Sequence, residues 1–376
     1  MIVHEYDKID LLIPPEFRRY FSQGWDGVKA TQYCGALKIG NQNLTILPKI
    51  DKNNDDANLR YLTYMLSYVY DLKVDESVAS TDTESSPILE LLISIFSREL
   101  IREIEKGLYR EYISVQENLR VMRGRFMAGL DARTNFVRDK IYCEYDEFSP
   151  DNPLNALFAY AVNICRRLTK SDDNRRKLGM LHLMFDEVNP YYNPHGTFHW
   201  HRLNNRFKHL HQLALLILKH LNIRFDKAGT NEWAFMFDMN VLFEQFVGKI
   251  VRTIEPTTIL QAENNFGNLK LKPDILIPNK LVIDTKYKKV NSKDDLKRDD
   301  KYQMYVYGKN YYIDQTMLLY PKHLEDINED LYLGKQGEGV ALKMRSVELQ
   351  SETIEFSLYI QEIKNKLKEV CIWREI

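Results

Sequence analysis

An α+β chain of several domains is what this sequence predicts, on three observations. Its 376 residues exceed one ordinary core and suggest two or three domains. Hydrophobic residues make up 44% and charged residues 28%, a normal globular balance that leaves apolar material for a core in each. The hydrophobic period also changes along the chain: two near the N-terminus, close to 3.6 through the middle, and both in turn from about residue 230. We therefore divide the chain into a β-rich and helical region at 1–115, a mainly helical middle at 116–225 and a mixed α/β domain at 226–376.

In chain order, residues 27–50 read as β structure. Apolar positions alternate from Ala36 to Leu47 on both sides of Gly40, Asn41, Gln42 and Asn43, and Gly and Asn tolerate the positive φ of a hairpin turn. Leu59, Leu62, Met65, Leu66 and Val69 then recur at helical spacing, predicting a helix over 57–73. Thr81 to Pro87 is a polar linker, and Ile88 to Leu108 a second helix. Amphipathic helices follow at 152–168, punctuated by Pro150 and Pro153, and at 202–220. Beyond residue 230 the order is a helix from Asn240 to Ile254, a β-like run at Thr258–Ala262, strands at Leu269–Ile277 and Leu281–Lys288, a helix from near Asp300 and a strand around Gln315–Tyr320.

Several classes of function recede. The net charge of −1 argues against a protein that coats nucleic acid non-specifically, while leaving room for a local basic groove. Residues 119–140 are such a basic stretch, with Arg120, Arg123, Arg125, Arg133, Arg138 and Lys140 against Asp131 and Asp139. Cys34, Cys143, Cys165 and Cys371 are scattered, with no C-x-x-C pair, and read as free thiols in a reducing compartment. Seven of the nine histidines fall between His182 and His220, but without ligand spacing, and read as packing and surface residues. No apolar run approaches the ~20 residues of a membrane helix. Met1 to Asp7 carry no basic stretch leading into an apolar one, so a cytoplasmic chain off the membrane is expected.

The chemistry concentrates between Lys272 and Lys288. In a strand, Asp284 and Lys286 share one face, while Ile283, Thr285 and Tyr287 take the other. That gives one apolar and one charged face, broken only by Val282. Pro278, Asn279 and Lys280 make a short turn. If Asn279 is its centre, Asp274 lies opposite Asp284, and the two carboxylates come close enough to share a metal ion. Clustered carboxylates repel unless a cation neutralises them. Mg2+ (Mn2+ is the alternative) binds through one or two carboxylates together with water and phosphate, and a neighbouring lysine stabilises developing charge. Such a set suits phosphodiester hydrolysis.

Pro273-Asp274 followed by Asp284-Thr285-Lys286 resembles the PD-(D/E)xK nuclease superfamily. The resemblance implies supporting roles for Glu244, on the upstream helix, and for Gln303 and Tyr307, which match a Q-x-x-x-Y element and share a helix face. It implies a restriction-endonuclease-like fold for 226–376, with Asp274, Asp284 and Glu244 around the metal. The chain further resembles the McrC family, the nuclease subunit of McrBC-type restriction systems. The likeness rests on Phe237 to Val247, Arg120-Val-Met-Arg-Gly-Arg125, Asp151-Asn-Pro-Leu-Asn155 and Ile46-Leu-Pro-Lys-Ile50. This implies DNA as substrate and a McrB-like AAA+ GTPase hexamer as partner, engaged and stimulated through residues 1–115, with Arg123 and Arg125 as contacts to partner or DNA. The sequence has no G-x-x-x-x-G-K-[ST] loop, so nucleotide hydrolysis is expected to reside in the partner. Two other readings stand beside it: a stand-alone RecB-like repair nuclease, and a non-enzymatic scaffold with a nuclease fold.

Overall fold

The computed structural model describes residues 1–25, 27–72, 87–225, 231–290 and 292–371. Residues 81–86 of the expected linker lie outside the described residues. The chain is a mixed α/β protein of two compact units, one formed by residues 1–88 and 220–376, the other by 89–219. Space thus divides the chain differently from the three successive regions read from the sequence. The reason is strand pairing: Tyr33–Ile39 runs antiparallel to Asn231–Asp238, which ties the N-terminal and C-terminal segments into one unit.

In that first unit a five-stranded sheet has the order Ile2–His4, Gln42–Leu47, Tyr33–Ile39, Asn231–Asp238, Leu221–Phe225. The predicted hairpin is present and tighter than expected. Ile39 pairs with Gln42, so the turn is Gly40-Asn41 alone, and Gly40 supplies the positive φ of +55°. Leu37, Leu44, Ile46 and Met236 face a core completed by Ile9, Phe17 and Tyr20.

The second sheet has six strands, in the order Ile259–Leu260, Ile275–Ile277, Leu281–Thr285, Gln315–Pro321, Val340–Val347, Asn328–Leu333. Three helices cover it: Met239–Ile254, Arg298–Tyr311 and Phe356–Val370. Two glycines permit close approach. A Cβ on Gly248 would meet a Leu260 methyl at 3.0 Å, and one on Gly308 would meet Val340 at 2.6 Å. The Met239–Ile254 helix begins with the Asp238 side chain accepting from Asn240 N–H at 2.9 Å. It buries Leu242, Phe243, Phe246, Val247 and Ile250. Each such side chain contributes about 1.5–3 kcal/mol by leaving water.

Three strand expectations change. Leu269–Ile277 is two strands: Leu269–Leu271 pairs with Asn264–Phe266 in a separate ribbon, and only Ile275–Ile277 joins the sheet. Pro273, with no N–H to donate, falls in the break. The next strand stops at Thr285 instead of running to Lys288. It is also covered on both faces: Val282 joins Met304, Tyr307, Leu318 and Leu342 in one core, so the charged side chains sit in a buried layer and not on a solvent face.

The second unit is not simply helical. Helices span Pro153–Leu168, Asp172–Met184 and Lys208–His220, but a three-stranded antiparallel sheet stands among them. Glu111–Leu119 pairs along its full length with Ile141–Ser149, which also pairs with Arg125–Phe126. These strands alternate in period two, but much of what alternates is Glu, Gln and Ser, so the apolar signal is weak. The basic stretch 119–140 lies at the end of this sheet. All four cysteines are buried as free thiols.

Candidate active site

The hairpin that ends in Asp284 is centred as its sequence predicts. Ile275 pairs with Ile283, Leu276 with Val282 and Ile277 with Leu281, and Asn279 at the centre takes φ +61°. Asp274 lies one residue before the first paired position. There its carboxylate turns along the neighbouring strand and caps it. Oδ2 accepts from Thr285 N–H at 2.8 Å and from Thr285 Oγ1 at 2.9 Å. Thr285, expected on the opposite face, therefore takes part in the site.

Asp284 is 2% exposed. Its Oδ2 faces Lys286 Nζ in an ion pair at 2.6 Å and has no hydrogen-bond donor among the described residues, and its Oδ1 accepts from Gln303 Nε2 at 3.3 Å. Gln303 holds both members of the pair, since its Oε1 accepts from Lys286 Nζ at 3.3 Å. The same Nε2 donates to Tyr307 OH at 2.9 Å, and Tyr307 OH donates to Lys272 O at 3.1 Å, two residues before Asp274. One helix face thus fixes both ends of the hairpin. Glu244, on the Met239–Ile254 helix, accepts a hydrogen bond from Gln261 Nε2, which also reaches Asp274 Oδ1 at 3.4 Å. The structure therefore gathers Asp274, Asp284, Lys286, Glu244, Gln303 and Tyr307 into one cluster. Arg123 and Arg125 belong to the other compact unit, where Arg123 lies over the Tyr145 ring at 3.9 Å and Arg125 pairs with Glu144 at 2.7 Å.

The electrostatics show how crowded the carboxylates are. Burial, then Asp274, push Asp284 up to about 6, against the pull of Lys286. Burial, then Asp274, push Glu244 up to about 7, while the hydrogen bond from Gln261 works the other way. Burial opposes the charge on Lys286, but Asp284, with Asp300 and Asp274, holds its ammonium above the ordinary value. These are carboxylates short of positive charge, the environment a divalent cation relieves. Among the described residues, no three acidic, histidine or cysteine side chains converge as a ready-made ligand set. A two-carboxylate site formed by Asp274 and Asp284 still fits Mg2+, which keeps several of its waters.

Four participants were not assigned from the sequence. Gln261 bridges two acids from a left-handed φ of +51°, for which its residue type gives no cue. Thr285, which the alternation sets apart from the charged face, reaches Asp274 at the strand end through its N–H and hydroxyl. Asp300 is 3.8 Å from Lys286 Nζ and 2.5 Å from Lys288 Nζ. Lys288 had a legible signal, since it follows Lys286 by two.

A family model described as McrBC 5-methylcytosine restriction system component matches residues 28–321. No curated protein matches the chain. Among solved structures, the chain is similar to one from Thermococcus gammatolerans, described as a refined half-complex from the tetradecameric assembly of McrB AAA+ hexamers with bound McrC. The TM-score is 0.64 at 20% identity, covering 98% of this chain and 99% of that one. At that identity the likeness is one of fold. A chain of the cryo-EM structure of the Thermococcus gammatolerans McrBC complex aligns at 24% identity over 67% of this chain and 86% of its own, with a TM-score of 0.47.

Proposed function

The chain belongs to the McrBC 5-methylcytosine restriction system component family, and we propose that it is the DNA-cutting subunit of such a system, a metal-dependent endonuclease with a PD-(D/E)xK site. One observation carries this reading: Gln303 hydrogen-bonds Asp284, Lys286 and Tyr307, and Tyr307 reaches the backbone before Asp274. Elements that match a short motif by chance have no reason to meet in one hydrogen-bonded cluster.

Asp274 and Asp284 would hold Mg2+, with Glu244 beside them. A divalent ion there supplies Lewis-acid stabilisation of the phosphate and a more acidic bound water. Lys286, kept charged by Asp284 and Asp300, offers its ammonium to the charge that builds on the phosphate oxygens. Gln303 keeps Lys286 and Asp284 in register, and Tyr307 fixes the backbone entering Asp274, so neither carboxylate needs to reorganise. Burial and Asp274 favour the neutral form of the half-buried Glu244, and a cation held beside it would favour the ionised form.

We assign the energy-driven part of the cycle to an AAA+ GTPase hexamer of the McrB type, because the sequence has no phosphate-binding loop of its own. Residues 1–115 would engage and stimulate that partner, and Arg123 and Arg125 are contacts suited to partner or phosphate groups. The test is Asp284→Ala in the full chain, assayed with its partner on plasmid DNA. Cleavage should vanish while the chain stays folded and still raises the partner's nucleotide hydrolysis. Cleavage at the wild-type rate would reject the site.

A further inference from the structure

Behind the Asp284–Lys286 strand lies a second buried polar cluster that the motif does not include. Glu5 follows the Ile2–His4 strand of the five-stranded sheet, and its N–H donates to Leu47 O at 3.0 Å. Its Oε1 accepts from Tyr287 OH at 2.9 Å and from Lys49 N–H at 3.0 Å, and lies 3.3 Å from His323 Nε2. His323 Nε2 also meets Tyr287 OH at 3.0 Å. The Glu5 and His323 side chains are 0% and 2% exposed. Among the described residues, Glu5 Oε2 and His323 Nδ1 have no hydrogen-bond partner.

The position of this cluster is informative. Tyr287 follows Lys286 directly and meets Glu5, His323 and Phe243, while Lys286 meets Asp284, Asp300 and Gln303, so an anchored Tyr287 ring limits where Lys286 can sit. Lys286 N–H donates to Leu319 O at 2.9 Å, in the strand that leads to His323. The Tyr287 ring meets Phe243 edge-on at 5.8 Å, and Phe243 is the helical neighbour of Glu244. One cluster therefore touches the chain beside both Lys286 and Glu244, and it reaches them from the N-terminal sheet. A buried carboxylate with one unpartnered oxygen is a costly way to join two sheets. Apolar side chains of similar volume would serve stability as well or better. What the polar cluster adds is a fixed, directional geometry.

We infer that Glu5, Tyr287 and His323 form a positioning node, through which the N-terminal sheet sets the placement of Lys286 and Glu244 for phosphodiester cleavage. The inference rests on the nuclease reading. In this role the node touches neither DNA nor metal, so it governs turnover and not DNA affinity.

The experiment compares wild type, Tyr287→Phe, Glu5→Gln, Glu5→Leu and Asp284→Ala as full chains with the AAA+ partner and plasmid DNA in Mg2+. Tyr287→Phe keeps the ring and loses the hydroxyl. It should lower kcat about tenfold or more, as small misplacements of catalytic groups do. KM for DNA should stay close to wild type, while the melting temperature should fall by a few degrees for the lost buried hydrogen bond. Glu5→Gln, which keeps an acceptor, should lose less activity than Glu5→Leu. If Tyr287→Phe does not fold, Glu5→Gln carries the kinetic test. Wild-type kcat in the folded variants, or failure of both to fold, would overturn the positioning role. If Asp284→Ala cleaves normally, the nuclease reading falls and takes the node with it. If only Asp284→Ala is inactive, the node alone is rejected.

Discussion

The two charged regions of this chain hold their charge in opposite ways. Around Asp284 the ionic groups are packed into a core layer: Lys286 is shared among Asp284, Asp300 and Gln303, and Asp300 takes a second ammonium from Lys288. At the end of the second unit's sheet, the Arg125 side chain is 73% exposed and holds Glu144 in a surface pair, and Phe136 and Val137 of the same basic stretch are open to solvent. Buried charges are strongly coupled, and losing one leaves its partners uncompensated. Exposed charges are screened and nearly independent. Substitutions around Asp284 should therefore propagate, and those around Arg125 should act alone.

The largest effect is expected at the centre of the coupled set. Lys286→Ala should lower kcat for DNA cleavage by about a hundredfold to a thousandfold, with folding and partner binding retained. Single-turnover cleavage with saturating partner measures it. Gln303→Ala and Tyr307→Phe should each cost less, about tenfold, because they orient the pair without replacing it. A loss at Gln303 as large as that at Lys286 would give the amide a role in contact with substrate.

The two regions should also separate in stability. Lys288→Ala leaves Asp300 without its closest counter-ion and should destabilise the chain by about 2 kcal/mol, below the ~3–5 of a fully buried pair because Lys288 is partly exposed. Arg125→Ala breaks a pair of similar length and should cost under ~1 kcal/mol. Denaturant titration of both variants checks the contrast, and equal costs would break it.

The smallest effect concerns pH. Asp284 and Glu244 are raised to about 6 and about 7, so their neutral forms are favoured in the folded chain. Their contribution to stability is full below the ordinary carboxylate range and is lost as pH rises through those values. Without metal, the melting temperature should fall by a few degrees from about pH 5 to about pH 8. Glu244→Gln should flatten that fall. Solvent screening at the half-exposed Glu244 keeps the effect small.

What the sequence made legible follows from the range of the interactions. The Asp274–Asp284 juxtaposition depends on a turn of three residues, and Asn279 in the left-handed region makes that turn readable. Gln303 and Tyr307 are one helical turn apart, so their shared face follows from period alone. Burial of Asp284 on both sides of its strand was not readable, because the covering helix enters from later in the chain. Gln261 and Thr285 reach Asp274 through a positive φ and a strand end, details that no periodicity encodes. The sheet around Ile141–Ser149 was hidden by polar residues on an exposed ribbon. Glu5 and His323 stand 318 positions apart, beyond any local pattern.

Asp274 and Asp284 should together hold one divalent cation. Calorimetric titration of Mn2+ into the full chain and into Asp284→Asn, above neutral pH where the raised carboxylates have released their protons, tests it most directly. A saturable site is expected in the wild type, lost or weakened at least about tenfold in the variant. Equal Mn2+ binding by the two chains would contradict it.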